Sequence, residues 1–90
     1  MAGRRELVTK ALDGDTFPTA SRKNPVRLAN VDAPERGRAR GAAATEQLRC
    51  LMMGKEVRIE TVARDSYGRS VANAYVGNTS VNKQMRQRLK

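Results

Sequence analysis

The sequence predicts a mainly β, α+β domain. It is a five-stranded barrel of oligonucleotide-binding (OB) type, with one helix between strands three and four and another at the C-terminal end. Three observations lead there. Short alternating runs recur at residues 7–12, 16–20, 26–31, 55–64 and 69–76. A stretch rich in Ala, Glu, Gln, Leu and Met separates the third run from the fourth. Gly, Asn, Asp and Pro cluster in the gaps between runs.

Taken in order, the first strand ends at the Asp13-Gly14-Asp15 turn. The second carries Pro18, which cannot donate to a ladder, so it belongs at an edge. Residues 21–25 are turn, with Asn24-Pro25 leading into the third strand, 26–31. Val26 and Leu28 face one way there, and Arg27, Ala29 and Val31 the other. Pro34 ends the alternation and keeps Ala33 out of helical conformation. A basic loop with Arg36, Arg38 and Arg40 follows, then a helix from about 42 to 53. Its apolar face is Ala44, Leu48, Leu51 and Met52, with Gly54 as its stop. Cys50, lying in that pattern, is read as a small core hydrophobe. The 55–64 and 69–76 strands form an antiparallel hairpin around Asp65-Ser66-Tyr67-Gly68. Val81, Met85 and Leu89 mark the final helix.

Ninety residues make one domain, residues 1–90. The last helical pattern runs into Lys90, so a longer natural domain is expected. Lys and Arg number 18 against 9 Asp and Glu, a net charge of +9, which points to a polyanionic partner. Nucleic acid is favoured over a membrane surface, because no long basic amphipathic helix or long apolar run is present. There is no histidine, which removes histidine acid–base chemistry, Ser-His-Asp triads and most zinc sites. The single cysteine cannot form an internal disulfide. The N-terminal residues contain no apolar segment of signal-peptide kind, so an intracellular protein, or one whose leader has been removed, is expected.

Chemistry gathers at strand ends. Asp15, Asp32 and the Ala33 carbonyl are hard oxygen donors of the kind calcium takes. Glu35, close behind, suits proton removal from an attacking water. Arg27 and Arg69 offer the planar fork that best answers charge building on a phosphate. The segments Leu12-Asp13-Gly14-Asp15-Thr16, 26–35 and Asp65-Ser66-Tyr67-Gly68-Arg69 resemble the three signatures of the staphylococcal-nuclease (thermonuclease) family, and the likeness covers nearly the whole chain. The resemblance implies an OB-fold and calcium-dependent hydrolysis of DNA and RNA at the 5′ P–O bond, leaving 3′-phosphates. On matching positions it implies calcium at Asp15, Asp32 and the Ala33 carbonyl, Glu35 as general base, and Arg27 and Arg69 on the phosphate. Tyr67 would hydrogen-bond a terminal phosphate. Apart from the resemblance, the basic loop of Arg36, Arg38 and Arg40 either guides the phosphate backbone or is an ordinary solvated loop. Ser66 stands where the family has a basic residue, and Ala33 where threonine is frequent. With Phe17, Tyr67 and Tyr75 as the whole aromatic complement, base stacking is expected to be poor and binding charge-driven, by a monomer. The alternative reading is a non-catalytic OB-type module that binds nucleic acid or protein.

Overall fold

The computed structural model describes residues 4–34 and 40–88. Its elements are β1 (Arg4–Val8), β2 (Thr16–Phe17), β3 (Val26–Leu28), α1 (Gly41–Met52), β4 (Lys55–Arg64), β5 (Ser70–Val76), β6 (Thr79–Ser80) and α2 (Val81–Arg88). The strands form one curled, mixed sheet in the order β1-β4-β5-β3-β2, with β6 pairing to β5. This is the mainly β, OB-like arrangement expected, with α1 in its predicted place. Among the described residues no helix is long and apolar enough to cross a membrane.

The core lies inside the curl. Val8, Phe17, Val26, Leu28, Val57, Ile59, Ala72 and Ala74 meet Leu48 and Met52 of α1 and Val81 and Met85 of α2. β4 and β5 form the antiparallel hairpin, with Val62 bulged out between Thr61 and Ala63. β3 pairs in parallel with β5, Val26 beside Ser70 and Arg27 beside Val71. That pairing places a guanidinium strand against the strand that follows the 65–69 turn.

Several boundaries differ from the sequence reading, each for a local reason. β1 covers Arg4–Val8 rather than 7–12, with Glu6 and Val8 buried and Leu7 48% exposed. A buried glutamate hid the true inward face from a pattern of apolar residues. β2 stops at Phe17, before Pro18, and takes the edge position expected of it. β3 ends at Leu28 because Asn30 turns left-handed at φ 59°, a conformation asparagine tolerates. Both Ala29 and Val31 are therefore buried where strict alternation would have exposed them. α1 begins at Gly41, and Cys50 is exposed on its outer side beside Glu46, not in the core. Leu89 lies outside the described residues.

Glu6 explains how the curled sheet is held shut. β1 and β2 are its opposite edges and are not paired by backbone. The Glu6 carboxylate, 5% exposed, accepts hydrogen bonds from Thr19 Oγ1 (2.7 Å), Ser21 Oγ and Arg22 Nε (2.7 Å) on the chain leaving β2. Arg22 Nη1 continues to Ser70 Oγ on β5 at 3.1 Å. Burial alone would raise the Glu6 pKa. The hydrogen bonds from Ser21, Thr19 and Arg22, with the Arg22 charge, outweigh it and hold the pKa below the ordinary 4.5. A folded-state pKa below the unfolded one gives stability that is present above pH 4.5 and is lost as pH falls through that value and below. Glu6→Gln is expected to destabilise the domain by about 2 kcal/mol at neutral pH. It should also flatten the acid limb of a stability-versus-pH curve measured by urea unfolding.

Candidate active site

The site is built where the turn after β1 meets the loop after β3. Leu12 and Asp13 donate their amides to the Thr16 carbonyl (2.9 and 3.3 Å), which closes the turn around Gly14. Asp13 Oδ1 accepts the Asp15 amide at 3.1 Å, and the Asp15 carbonyl accepts the Leu28 amide at 2.8 Å. These bonds fix Asp15 against β3. Its carboxylate is nearly buried: Oδ1 accepts Thr16 Oγ1 at 2.9 Å, and Oδ2 accepts the Ala33 amide at 3.1 Å. The peptide joining Asp32 to Ala33 is thus fastened to Asp15, and two segments far apart in sequence meet. Asp32 itself is exposed.

Arg27 lies on the same carboxylate. Its Nη2 stands 3.6 Å from Asp15 Oδ2, and its Nη1 donates to the Leu28 carbonyl at 3.2 Å. A guanidinium carries five N–H donors in a rigid fork, so this anchoring leaves most of them for another acceptor. Arg69 falls two residues before Val71, the register partner of Arg27, at the position that leads into β5. Asp65 orients Arg69. Its Oδ2 accepts Arg69 Nε at 2.7 Å, and its Oδ1 accepts the amides of Tyr67 and Arg69, both at 2.9 Å. Partial burial would raise the Asp65 pKa, but these hydrogen bonds, the Arg69 amide foremost, bring it below the ordinary carboxylate value. Tyr67 is exposed, with the Arg69 guanidinium 5.3 Å from its ring centroid. Arg40 is exposed at φ 68° just before α1, its carbonyl accepting the Ala44 amide at 2.9 Å. Glu35, Arg36 and Arg38 lie outside the described residues.

The donors suit a hard cation. Asp15, Asp32 and the Ala33 carbonyl offer oxygen only. Burial, with the Asp15 carboxylate beside it, pushes the Asp13 pKa up. Among the described residues no three His, Cys, Asp or Glu side chains gather tightly enough to cage a metal unaided. Calcium here would therefore complete its shell with carbonyls and waters.

Residues that sequence reasoning assigned no role also shape the site. Gly14 is wedged between the Asp32 loop and α1: a Cβ there would sit 2.7 Å from the Cβ atoms of both Ala33 and Ala44. Gly14→Ala must therefore push apart the loop and the helix. It is expected to cost about 2 kcal/mol, read from the urea midpoint, and to lower activity by displacing Ala33 from Asp15. Asn82, buried in the first turn of α2, donates to the Ala29 and Ala72 carbonyls (2.9 and 3.1 Å) and accepts the Ala74 amide (2.8 Å). It ties the start of the Asp32 loop to β5. Asp65 could have been suspected from sequence, since an aspartate opening a hairpin turn commonly caps the amides that follow.

Known proteins share much of this sequence. The model of the family described as staphylococcal nuclease homologue matches residues 25–88. An uncharacterized endonuclease of Escherichia coli O157:H7 is 37% identical over 70 residues, which is 76% of this chain and 46% of that protein. One from Haemophilus influenzae is 36% identical over 81 residues, 87% of this chain and 46% of its own length. A micrococcal nuclease of Shigella flexneri is 39% identical over 73 residues, covering 79% of this chain and 42% of that protein. The chain thus spans under half the length of each of these relatives. With its matched segment running from the start of β3 to the end of α2, and relatives at 36–39% identity over most of its length, the chain belongs to the staphylococcal nuclease family.

Proposed function

We propose that this chain is a calcium-dependent nuclease, indifferent to sequence, that hydrolyses DNA and RNA at the 5′ P–O bond and leaves 3′-phosphates. The observation that supports the reading is the hydrogen bond from the Ala33 amide to the Asp15 carboxylate, with Arg27 Nη2 3.6 Å from the same oxygen. Family membership and the endonuclease and micrococcal nuclease names of its relatives support hydrolysis of phosphodiesters.

Asp15, Asp32 and the Ala33 carbonyl would hold calcium, which when bound supplies a Lewis acid that offsets phosphate charge and a template for substrate. Arg27 and Arg69 hold the scissile phosphate and stabilise the charge that grows on its equatorial oxygens, and their anchoring by Leu28 and Asp65 means little reorganisation is needed. Glu35 takes a proton from water as the water oxygen bonds to phosphorus. The P–O5′ bond breaks, and the departing oxygen takes up a proton from solvent. Tyr67 hydrogen-bonds a terminal phosphate, and Arg36, Arg38 and Arg40 steer the strand. The charge of +9 drives binding, which weakens as salt rises.

Nicking of supercoiled plasmid in calcium, in magnesium and in chelator tests this. Calcium should support nicking and chelator should stop it. Protein shown to be folded by circular dichroism, yet leaving the plasmid intact in every metal and at every pH, would refute the proposal.

A further inference from the structure

A second basic cavity lies beside the 65–69 turn, apart from the Asp15 cluster. It holds about 170 Å³ and is lined by Arg22, Lys23, Asn24, Arg64 and Ser70. That is the room of roughly five waters at about 30 Å³ each, enough for a hydrated phosphate group. None of the lining residues is acidic, and three are cationic. Among the described residues the one carboxylate paired with any of them is Glu6, on Arg22.

The walls come from two segments distant in sequence. Asn24 Nδ2 and Arg64 Nη1 both donate to the Gly68 carbonyl, at 3.3 and 3.0 Å, which joins the β2–β3 connection to the β4–β5 hairpin. Arg22 is fixed from below by Glu6 and reaches Ser70 Oγ at 3.1 Å. Lys23 and Arg64 are exposed, so their charges gather at the cavity mouth. Glu6 already offsets the Arg22 charge, so the excess to be relieved by an anion is that of Lys23 and Arg64. The turn that closes this cavity through Gly68 also carries Arg69 as its next residue.

We infer that this cavity seats a backbone phosphate of the nucleic acid, at a position along the strand other than the scissile one. The substrate class rests on the nuclease reading, and the cavity extends it. Arg22 supplies a rigid cation at the floor, Lys23 and Arg64 close from the rim, and the Ser70 hydroxyl adds a further polar group. Contact is with phosphate and not with bases, so it adds affinity without sequence preference.

The test measures binding of a fluorescent single-stranded oligonucleotide of about ten nucleotides, an OB-type site size, to the full chain in chelator, across a salt series. The double variant Lys23→Ala, Arg64→Gln should bind about tenfold more weakly, with the logarithmic salt slope shallower by about 1. The control Lys83→Ala, Arg86→Gln removes the same charge from exposed positions on α2 and should change affinity less than about twofold. Equal losses in both double variants, or none in either, would overturn the inference. Should circular dichroism show that the Arg64 change disturbs the hairpin, Lys23→Glu decides alone: several-fold weaker binding supports the cavity and unchanged binding overturns it. Because binding is read without cleavage, a chain that binds through the cavity but does not nick plasmid fails only the nuclease reading. A chain that nicks, with variants that bind like the parent, fails only this one.

Discussion

Asn82→Ala is expected to remove about 3–4 kcal/mol of folding stability, the largest loss foreseen for any single substitution discussed here. A domain of this size has roughly 5–13 kcal/mol in total, so the variant should approach the threshold of folding. The reason is positional. Asn82 is 1% exposed, and its amide satisfies backbone groups on both β5 and the chain leaving β3. Alanine leaves the Ala29 carbonyl without this donor in a place water does not reach. Asn82→Asp should be no better, since it sets a carboxylate oxygen against two carbonyls in place of a donor. Urea unfolding reads the stability. At low temperature, where the variant retains folded protein, nuclease turnover should still fall, because the Asp32 loop has lost the bond at its start.

Arg69→Ala should lower kcat by about 10³-fold while leaving the melting temperature close to that of the parent. The side chain is partly exposed and its described bond is to Asp65 alone, so little packing is lost. On the proposed mechanism, what disappears is a pre-aimed cation at the phosphate, an effect of about 4 kcal/mol on the barrier. Arg69→Lys keeps charge but not the fork and should recover only part of the rate. Asp65→Asn removes the carboxylate that orients the guanidinium. That change should raise KM and lower kcat modestly, and a further loss on adding Arg69→Ala should fall short of additive.

The hairpin of β4 and β5, the edge position of β2 and the single helix between β3 and β4 were all legible because local chemistry and the tertiary result agree there. Val57 and Ile59 alternate with charged neighbours, and the 65–68 turn has the residues its shape requires. The bounds of β1 were misread because a polar side chain, Glu6, took an apolar one's place inside. Glu6 and Asn82 are buried because partners from other segments satisfy them, and those partners cannot be foreseen from neighbouring residues. Cys50 shows the converse: it lies about half a turn around the helix from the buried Leu48 and Met52, and its small apolar character did not decide the matter. In the site, the residue types of Asp15, Arg27 and Arg69 were readable. The fastening of Asp15 to the Ala33 amide and the steric demand for Gly14 were not, since both depend on how turns approach each other.

The side-by-side, same-direction pairing of β3 with β5 has a kinetic corollary. Strands running the same way cannot be joined by a tight turn, so the connection from β3 to β5 is a long crossover, with the β4 strand inside it, that must be in place before Arg27 and Val71 become neighbours. Such non-local contacts form late, after a large loss of chain entropy. A chain emerging from the ribosome therefore carries Asp15, Arg27 and Asp32 well before β5 exists to pair with β3, and that pairing waits on all the chain between them.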